Sequence, residues 1–436
     1  MKNTLLFGAL LLGSTTIAQD VSQIERCYSH KAIEYQESLT PGYEGHVDEQ
    51  FEIAKNHQQT KTNRSSHYTI PVVVHIVHNT TDQNLADSVI HRQIETLNED
   101  YQRKNADTVN MRSDFDIVKG SPNIHFMLAQ VDPDGNPTTG ITRTETSEES
   151  FGDFGLFTGD MSTLEKVKQT SEGGIDPWDQ EKYLNIWVCN MSIMGSPMLL
   201  GFATPPSGLS NWPSGSVPNL SDGVVMQYQA FGDNNPNELD MGEGPINVRG
   251  RTTTHEVGHY LGLRHIWADG DCSKQDGIDD TPNADDQSEF DCDDTKNTCT
   301  DAIQGQDLPD MIENYMDYSA ETCQNSFTQG QVDLMRGVLE NQRYDLVHNN
   351  SASLSKNDII ATSLYPNPTD NSINITFSNG GADEVTIFDL NGKELLSIKD
   401  QKSSYKLDVS SFEKGIYFAK IMKDGVVLSN QKFIKL

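Results

Sequence analysis

The chain has 436 residues, too many for one compact core, and 32 Lys+Arg stand against 64 Asp+Glu for a formal net charge of −32 at pH 7. That excess of anions repels phosphate backbones and acidic lipid surfaces, which argues against nucleic acid or a membrane bound through a basic face. Two or three domains in a free, soluble protein fit better.

Residues 1–19 carry Lys2, an apolar run from Leu5 to Leu12 and small residues up to Ala18, the pattern of a cleavable secretory signal. No later run is long enough for a transmembrane helix. Export permits disulfides. Residues 20–64 are polar with little periodicity and no core of their own, and read as a pro-segment. Within them the thiol of Cys27, between Arg26 and Tyr28, is a candidate zinc ligand of a latent form, since zinc binds Cys sulfur strongly.

The globular domain is expected over 65–348. His67 to His78 is a β-branched run suited to a central strand, and a helix capped by Asp87 or Ser88 follows, with Ile90, Ile94, Leu97 and Tyr101 at helical spacing. His75 and His78, three apart on a strand, point to opposite faces and receive no metal role. Further strands are read at Asn123–Val131, Glu181–Cys189 and Gly223–Gln229. The last is expected to be an edge strand that binds substrate backbone by strand addition. Cys189 reads as a buried, unreactive thiol, and Pro205–Pro218 as a loop.

A helix starting after Pro245 and running through Arg251 to Leu261 carries the chemistry. His255 and His259, one turn apart, share a face and can converge on one ion. Glu256 stands beside them as a general base toward water, and Gly262 permits the sharp turn that brings His265 round as the third ligand. The pattern from Thr254 to His265 resembles that of the metzincin zinc proteases.

Between Asp269 and Asp294 eleven carboxylates accompany a single lysine, Lys274. So dense an anionic loop calls for a hard cation, and Ca²⁺ is expected, held about Asp276, Asp279 and Thr281. Cys272, Cys292, Cys299 and Cys323 crowd this segment. Two disulfides are expected, Cys272–Cys299 with Cys292–Cys323 preferred among three pairings that sequence leaves open.

Asn314-Tyr315-Met316-Asp317-Tyr318 looks like the metzincin Met-turn, with Met316 a soft floor under the zinc and Tyr318 placed toward a developing oxyanion. Glu321, five beyond Met316, is expected to line the pocket for the residue after the scissile bond and to select Arg or Lys there. Thr328 to Leu339 reads as a closing amphipathic helix. Residues 349–362 read as a linker, and 363–436 as a small β-sandwich with hairpin turns at Asn391-Gly392 and Asp424-Gly425.

The segment from Tyr68 to about Asn341 resembles the pappalysin family of metzincins, on Thr254 to His265, the strand Tyr183 to Val188, and Asn314 to Tyr318. The resemblance implies an α/β (α+β) catalytic domain, two-lobed about a cleft. It further implies zinc on His255, His259 and His265, Glu256 as base, Tyr318 as oxyanion partner, structural calcium, and a latency device involving Cys27. The tail is similar to the C-terminal sorting domain of the type IX secretion system, on Tyr365-Pro366-Asn367-Pro368-Thr369 and Lys414-Gly415-Ile416-Tyr417. It implies passage across an outer membrane, release or attachment at the cell surface, and partnership with that machinery.

The expected function is a secreted zinc endopeptidase acting on proteins or peptides, made latent by its pro-segment and cut near Arg64. The rival is a surface-binding protein with a vestigial metal site, and the intact Glu256 speaks against it.

Overall fold

The computed structural model describes residues 26–60, 67–206, 221–240, 244–348, 362–377, 382–389, 393–402, 404–423 and 426–436. The secretory signal, the Arg64 region, most of the Pro205–Pro218 loop, nearly all of the linker and both hairpin-turn dipeptides lie outside these residues.

The pro-segment is more ordered than its polarity suggests. It forms helices α1 (Ser29–Leu39) and α2 (Tyr43–Thr60). Val47, Phe51 and Ala54, at i, i+4 and i+7 along α2, are buried.

The main sheet begins with β1 (Tyr68–His78), buried along nearly its whole length as a central parallel strand should be. Helix α3 (Asp87–Tyr101) follows and buries Ile90, Ile94, Leu97 and Tyr101. Neither expected side chain caps it: the N-cap is Ala86, and the Asp87 carboxylate instead accepts from Arg143 at 2.5 Å.

Then come β2 (Lys119–Gly120), β3 (Ile124–Leu128), β4 (Ile141–Glu145), the short helix α4 (Ser162–Glu165), β5 (Leu184–Cys189), β6 (Gly201–Ala203) and β7 (Val224–Gln227). The sheet runs β3-β1-β5-β7-β6, with β4 continuing beside β1 beyond β3. All pairings are parallel except β6 on β7.

The edge strand beyond Val224–Gln227 is therefore Gly201–Ala203, at the opposite end of the sheet from β3. Val224–Gln227 is an interior strand, buried at every residue, which overturns the expectation that it binds substrate backbone. Its apolar residues pack on both faces, and only a short antiparallel partner inside a Gly- and Pro-rich stretch was left to form the edge.

Helix α5 (Arg251–Tyr260) packs with α3 under one face of the sheet. The other face covers a second core of Trp187, Cys189, Phe202 and Val225 that also takes in Ala32 of α1. Strand β8 (Phe327–Thr328) pairs β2, then α6 (Gln329–Leu339) starts from a capping box between Thr328 and Gln331, and α7 (Tyr344–His348) follows. Helix α2 crosses α6 at Gly337, where a Cβ would come within 2.2 Å of the Ala54 carbonyl oxygen. That spacing admits only glycine and seats the pro-segment.

The tail is all β. Strands β9 (Thr362–Tyr365), β10 (Ser372–Phe377), β11 (Ala382–Phe388), β12 (Glu394–Lys402), β13 (Ser404–Asp408), β14 (Gly415–Lys423) and β15 (Val426–Lys435) form two sheets, β13-β10-β9 and β12-β11-β14-β15. Ile373, Ile375, Val385, Ile387, Leu407, Ile421 and Phe433 from both sheets share one core.

Candidate active site

All ten residues of α5 are buried, so its polar groups must find partners inside the protein. The first amides are met by one side chain: the Glu321 carboxylate accepts from the N–H of Arg249 at 2.5 Å, Arg251 at 3.1 Å and Thr252 at 2.7 Å. The helix starts at Arg251, after Gly250 at φ +76, five residues later than a start just after Pro245. It ends with Gly262 at φ +94, a left-handed turn open to glycine at no steric cost. Gly258 faces Met316, whose sulfur would sit 2.4 Å from a Cβ there.

His255, His259 and His265 then converge. Nε2 of His259 lies 3.0 Å from that of His255 and 3.1 Å from that of His265. Each Nδ1 faces an acceptor: the Tyr315 carbonyl at 2.7 Å, the Leu263 carbonyl at 2.8 Å and the Asp269 carboxylate at 2.6 Å. Assigning the ring protons to Nδ1 leaves three Nε2 lone pairs aimed at one another. Burial, together with the other two rings for His255 and with His265 for His259, holds His255 far below the usual imidazole range and His259 at about 3. Protonation therefore does not relieve the repulsion, and a cation does: the donor set fits zinc. Trp267 stacks on His265 at 4.2 Å, fixing its plane.

The pro-segment occupies this centre. Cys27 Sγ belongs to the same cluster, all its ligand atoms within 4.8 Å of one another, and donates to Glu256 Oε2 at 3.3 Å. The Ser29 hydroxyl donates to the same oxygen at 3.0 Å and accepts from the Ala203 amide of the edge strand at 2.8 Å. Burial raises the Glu256 carboxyl to about 8, and Oε1 has no hydrogen-bond partner. Leu200 N donates to Arg26 O and Tyr28 N to Gly201 O, both at 3.1 Å, so residues 26–28 lie parallel to the edge strand. The Tyr318 hydroxyl donates to the Cys27 carbonyl and accepts from the Cys27 amide, each at 3.1 Å. Arg26 reaches Glu321 Oε1 at 3.2 Å, with both side chains buried.

Arg26, Ser29 and Asp269 were not singled out from sequence. Asp269, four residues past His265, carried the only local signal.

Of the three expected calcium residues, the structure brings two inside. Asp276 and Thr281 are buried, with Asp276 Oδ1 accepting from Ile278 N at 2.9 Å and Oδ2 lacking a partner. Asp279 points outward, its side chain 89 % exposed, and meets Lys55 of α2 at 3.1 Å. Its neighbour Asp280 turns in instead, with Oδ1 unpartnered and Oδ2 accepting from Gly330 N. Cys272 bonds Cys299 and Cys292 bonds Cys323, stapling the acidic loop. Cys189 is buried on β5, its thiol pushed up by desolvation.

A family profile described as "Pregnancy-associated plasma protein-A" matches residues 169–340, and one described as a secretion system C-terminal sorting domain matches 363–435. An extracellular metalloprotease of Arthroderma benhamiae is 30 % identical over 278 residues, 62 % of this chain and 72 % of the relative. Mature mirolysin of Tannerella forsythia, solved with a cleaved peptide, is 41 % identical with TM-score 0.55, covering 66 % of this chain and 99 % of its own. A point mutant of promirolysin, the precursor, is 38 % identical with TM-score 0.61, covering 75 % of this chain and 98 % of its own.

Proposed function

This chain belongs to the pregnancy-associated plasma protein-A (pappalysin) family of metalloproteases and carries a type IX secretion tail, and from that premise we propose a zinc-dependent endopeptidase, made latent by residues 20–64, that cuts before Arg or Lys. The observation that carries the reading is the three convergent Nε2 atoms, each aimed by its own Nδ1 hydrogen bond.

Zinc held by His255, His259 and His265 would supply Lewis acidity toward a scissile carbonyl and a water. The Glu256 carboxylate takes the proton of the attacking water and returns it to the departing amine. Removing the pro-segment hydrates Glu256, and because desolvation is what raises its carboxyl, hydration moves it toward the basic form the reaction needs. The Tyr318 hydroxyl, released from the Cys27 backbone, is free to donate to the developing oxyanion. Glu321, already satisfied by Arg26, selects a cationic residue after the bond. The same reading gives the acidic loop a calcium ion, supported by the inward-facing, unpartnered oxygens of Asp276, Asp280 and Thr281.

Changing Glu256 to Gln tests the assignment. Zinc should remain stoichiometric by elemental analysis, while peptide hydrolysis falls by a factor on the order of 10²–10⁴. Hydrolysis at the parent rate refutes it.

A further inference from the structure

The pro-segment runs from Glu321 across the histidines to a second contact surface. Arg26 sits against Glu321, Cys27 against the histidine cluster, and the chain then continues into α1 and α2. These helices roof a cavity of about 370 Å³ whose lining includes His259 and His265 together with Pro206, Leu263, Val338 and Arg264. If Glu321 receives the residue after the scissile bond, this cavity lies on the amino side of that bond.

Arg264 and Lys274 both line it as cations in a protein of net charge −32, and Arg264, next to His265 in the chain, is the one that helix α2 matches. Its side chain remains 35 % exposed. Helix α2 matches it twice. The Asp48 carboxylate accepts from Nη2 at 2.7 Å, and the Phe51 ring lies 4.2 Å from the guanidinium carbon. Phe51 is seated by Gly277, where a Cβ would meet its ring at 2.8 Å. Asp276, under the neighbouring loop, feels the charge of Arg264, but among the described residues the hydrogen-bonded carboxylate of Arg264 is Asp48. Asp48 and Phe51 both leave with the pro-segment, and Arg264 is then a cation on the wall of an opened cleft.

We propose that Arg264 is a specificity residue of the mature protease, binding the carboxylate of an acidic substrate side chain upstream of the scissile bond, in the place Asp48 holds in the precursor. The preferred substrate then carries an acidic residue before the bond and a basic one after it. The assignment of sides rests on the proposed role of Glu321.

The test uses the activated enzyme and internally quenched peptides with Arg fixed after the bond and Asp, Asn or Lys at each of three preceding positions. At one of them kcat/KM should favour Asp over Asn by about fivefold, with Lys slowest. Arg264→Glu should reverse that order and Arg264→Lys should keep it. Equal ranking of Asp and Asn at every position in the parent enzyme, or an unchanged order in Arg264→Glu, overturns the proposal and leaves Arg264 as a pro-segment anchor. Replacing the fixed Arg by Asn in the same series reports separately on Glu321. If that replacement costs nothing, it is the reading of the Glu321 pocket that has failed, and an Asp preference lost in Arg264→Glu would still stand.

Discussion

Arg26 and Glu321, 295 residues apart in sequence, form an ion pair with side chains 1 % and 5 % exposed, and the same carboxylate holds the first amides of the helix that bears His255 and His259. Under the proposed specificity, substrate selection and placement of the metal ligands meet in one side chain. Glu321→Gln should lower the preference for Arg over Asn after the scissile bond by about tenfold and also lower the melting temperature, since charge-assisted bonds to the amides of α5 are worth about 1.5–3 kcal/mol. Peptide pairs and calorimetry read the two effects. An unaltered preference in a correctly folded variant would remove Glu321 from the pocket.

Cys27→Ser should give a precursor that cleaves a small reporter peptide without prior processing, because a hydroxyl is a far weaker zinc ligand than a thiolate. The rate should lie between those of the intact precursor and the mature enzyme, since Arg26 and α2 still hold the pro-segment in place. A variant as silent as the parent would make Cys27 a passive occupant.

Asp269 orients His265 through a 2.6 Å bond to Nδ1. Asp269→Asn should weaken zinc about 10- to 100-fold, read by competition with a chelator of known affinity, with little change in far-ultraviolet circular dichroism. Undiminished affinity would contradict the role drawn for it.

For calcium the sign follows from burial. Desolvation raises the Asp276 carboxyl from 3.8 to about 7 in the cation-free protein. Between those values the folded form binds a proton that the unfolded form has released, so without calcium the contribution of Asp276 to stability declines as pH rises from about 4 to 7. Calcium must displace that proton, and its affinity should fall as pH drops below about 7, approaching tenfold per pH unit. Calorimetric titration at pH 8, 7 and 6 measures this, and melting with and without a calcium chelator at pH 8 should separate the two forms. A pH-independent affinity would place the cation elsewhere.

If the protease matures itself, the Asn63-Arg64 bond has the basic residue the Glu321 pocket favours. Glu256→Gln should then accumulate uncut, and N-terminal sequencing that finds the mature end in that variant would assign the cut to another enzyme.

Several features were legible locally. A four-residue interval on a helix, a glycine that can turn left-handed, and a histidine just beyond it suffice to bring His255, His259 and His265 together, because helical geometry and a tight turn act over a few residues. Alternating apolar strands likewise announced an all-β tail. Polar character alone hid the order of residues 26–60: the buried set Val47, Phe51 and Ala54 was present at helical spacing, yet the surfaces that receive it, Gly277 at Phe51 and Gly337 of α6 at Ala54, lie far along the chain.

By itself the amino-acid order fixed the convergence of three imidazoles with a carboxylate next to them in the chain, since that arrangement is written in short-range spacing. Tertiary structure alone decided that Gly201–Ala203 is the sheet edge, that Asp280 faces inward while Asp279 faces out, and that Arg26, Ser29 and Asp48 of the pro-segment reach Glu321, Glu256 and Arg264. Those outcomes depend on which distant surfaces pack together, and no local periodicity encodes a contact closed by the fold as a whole.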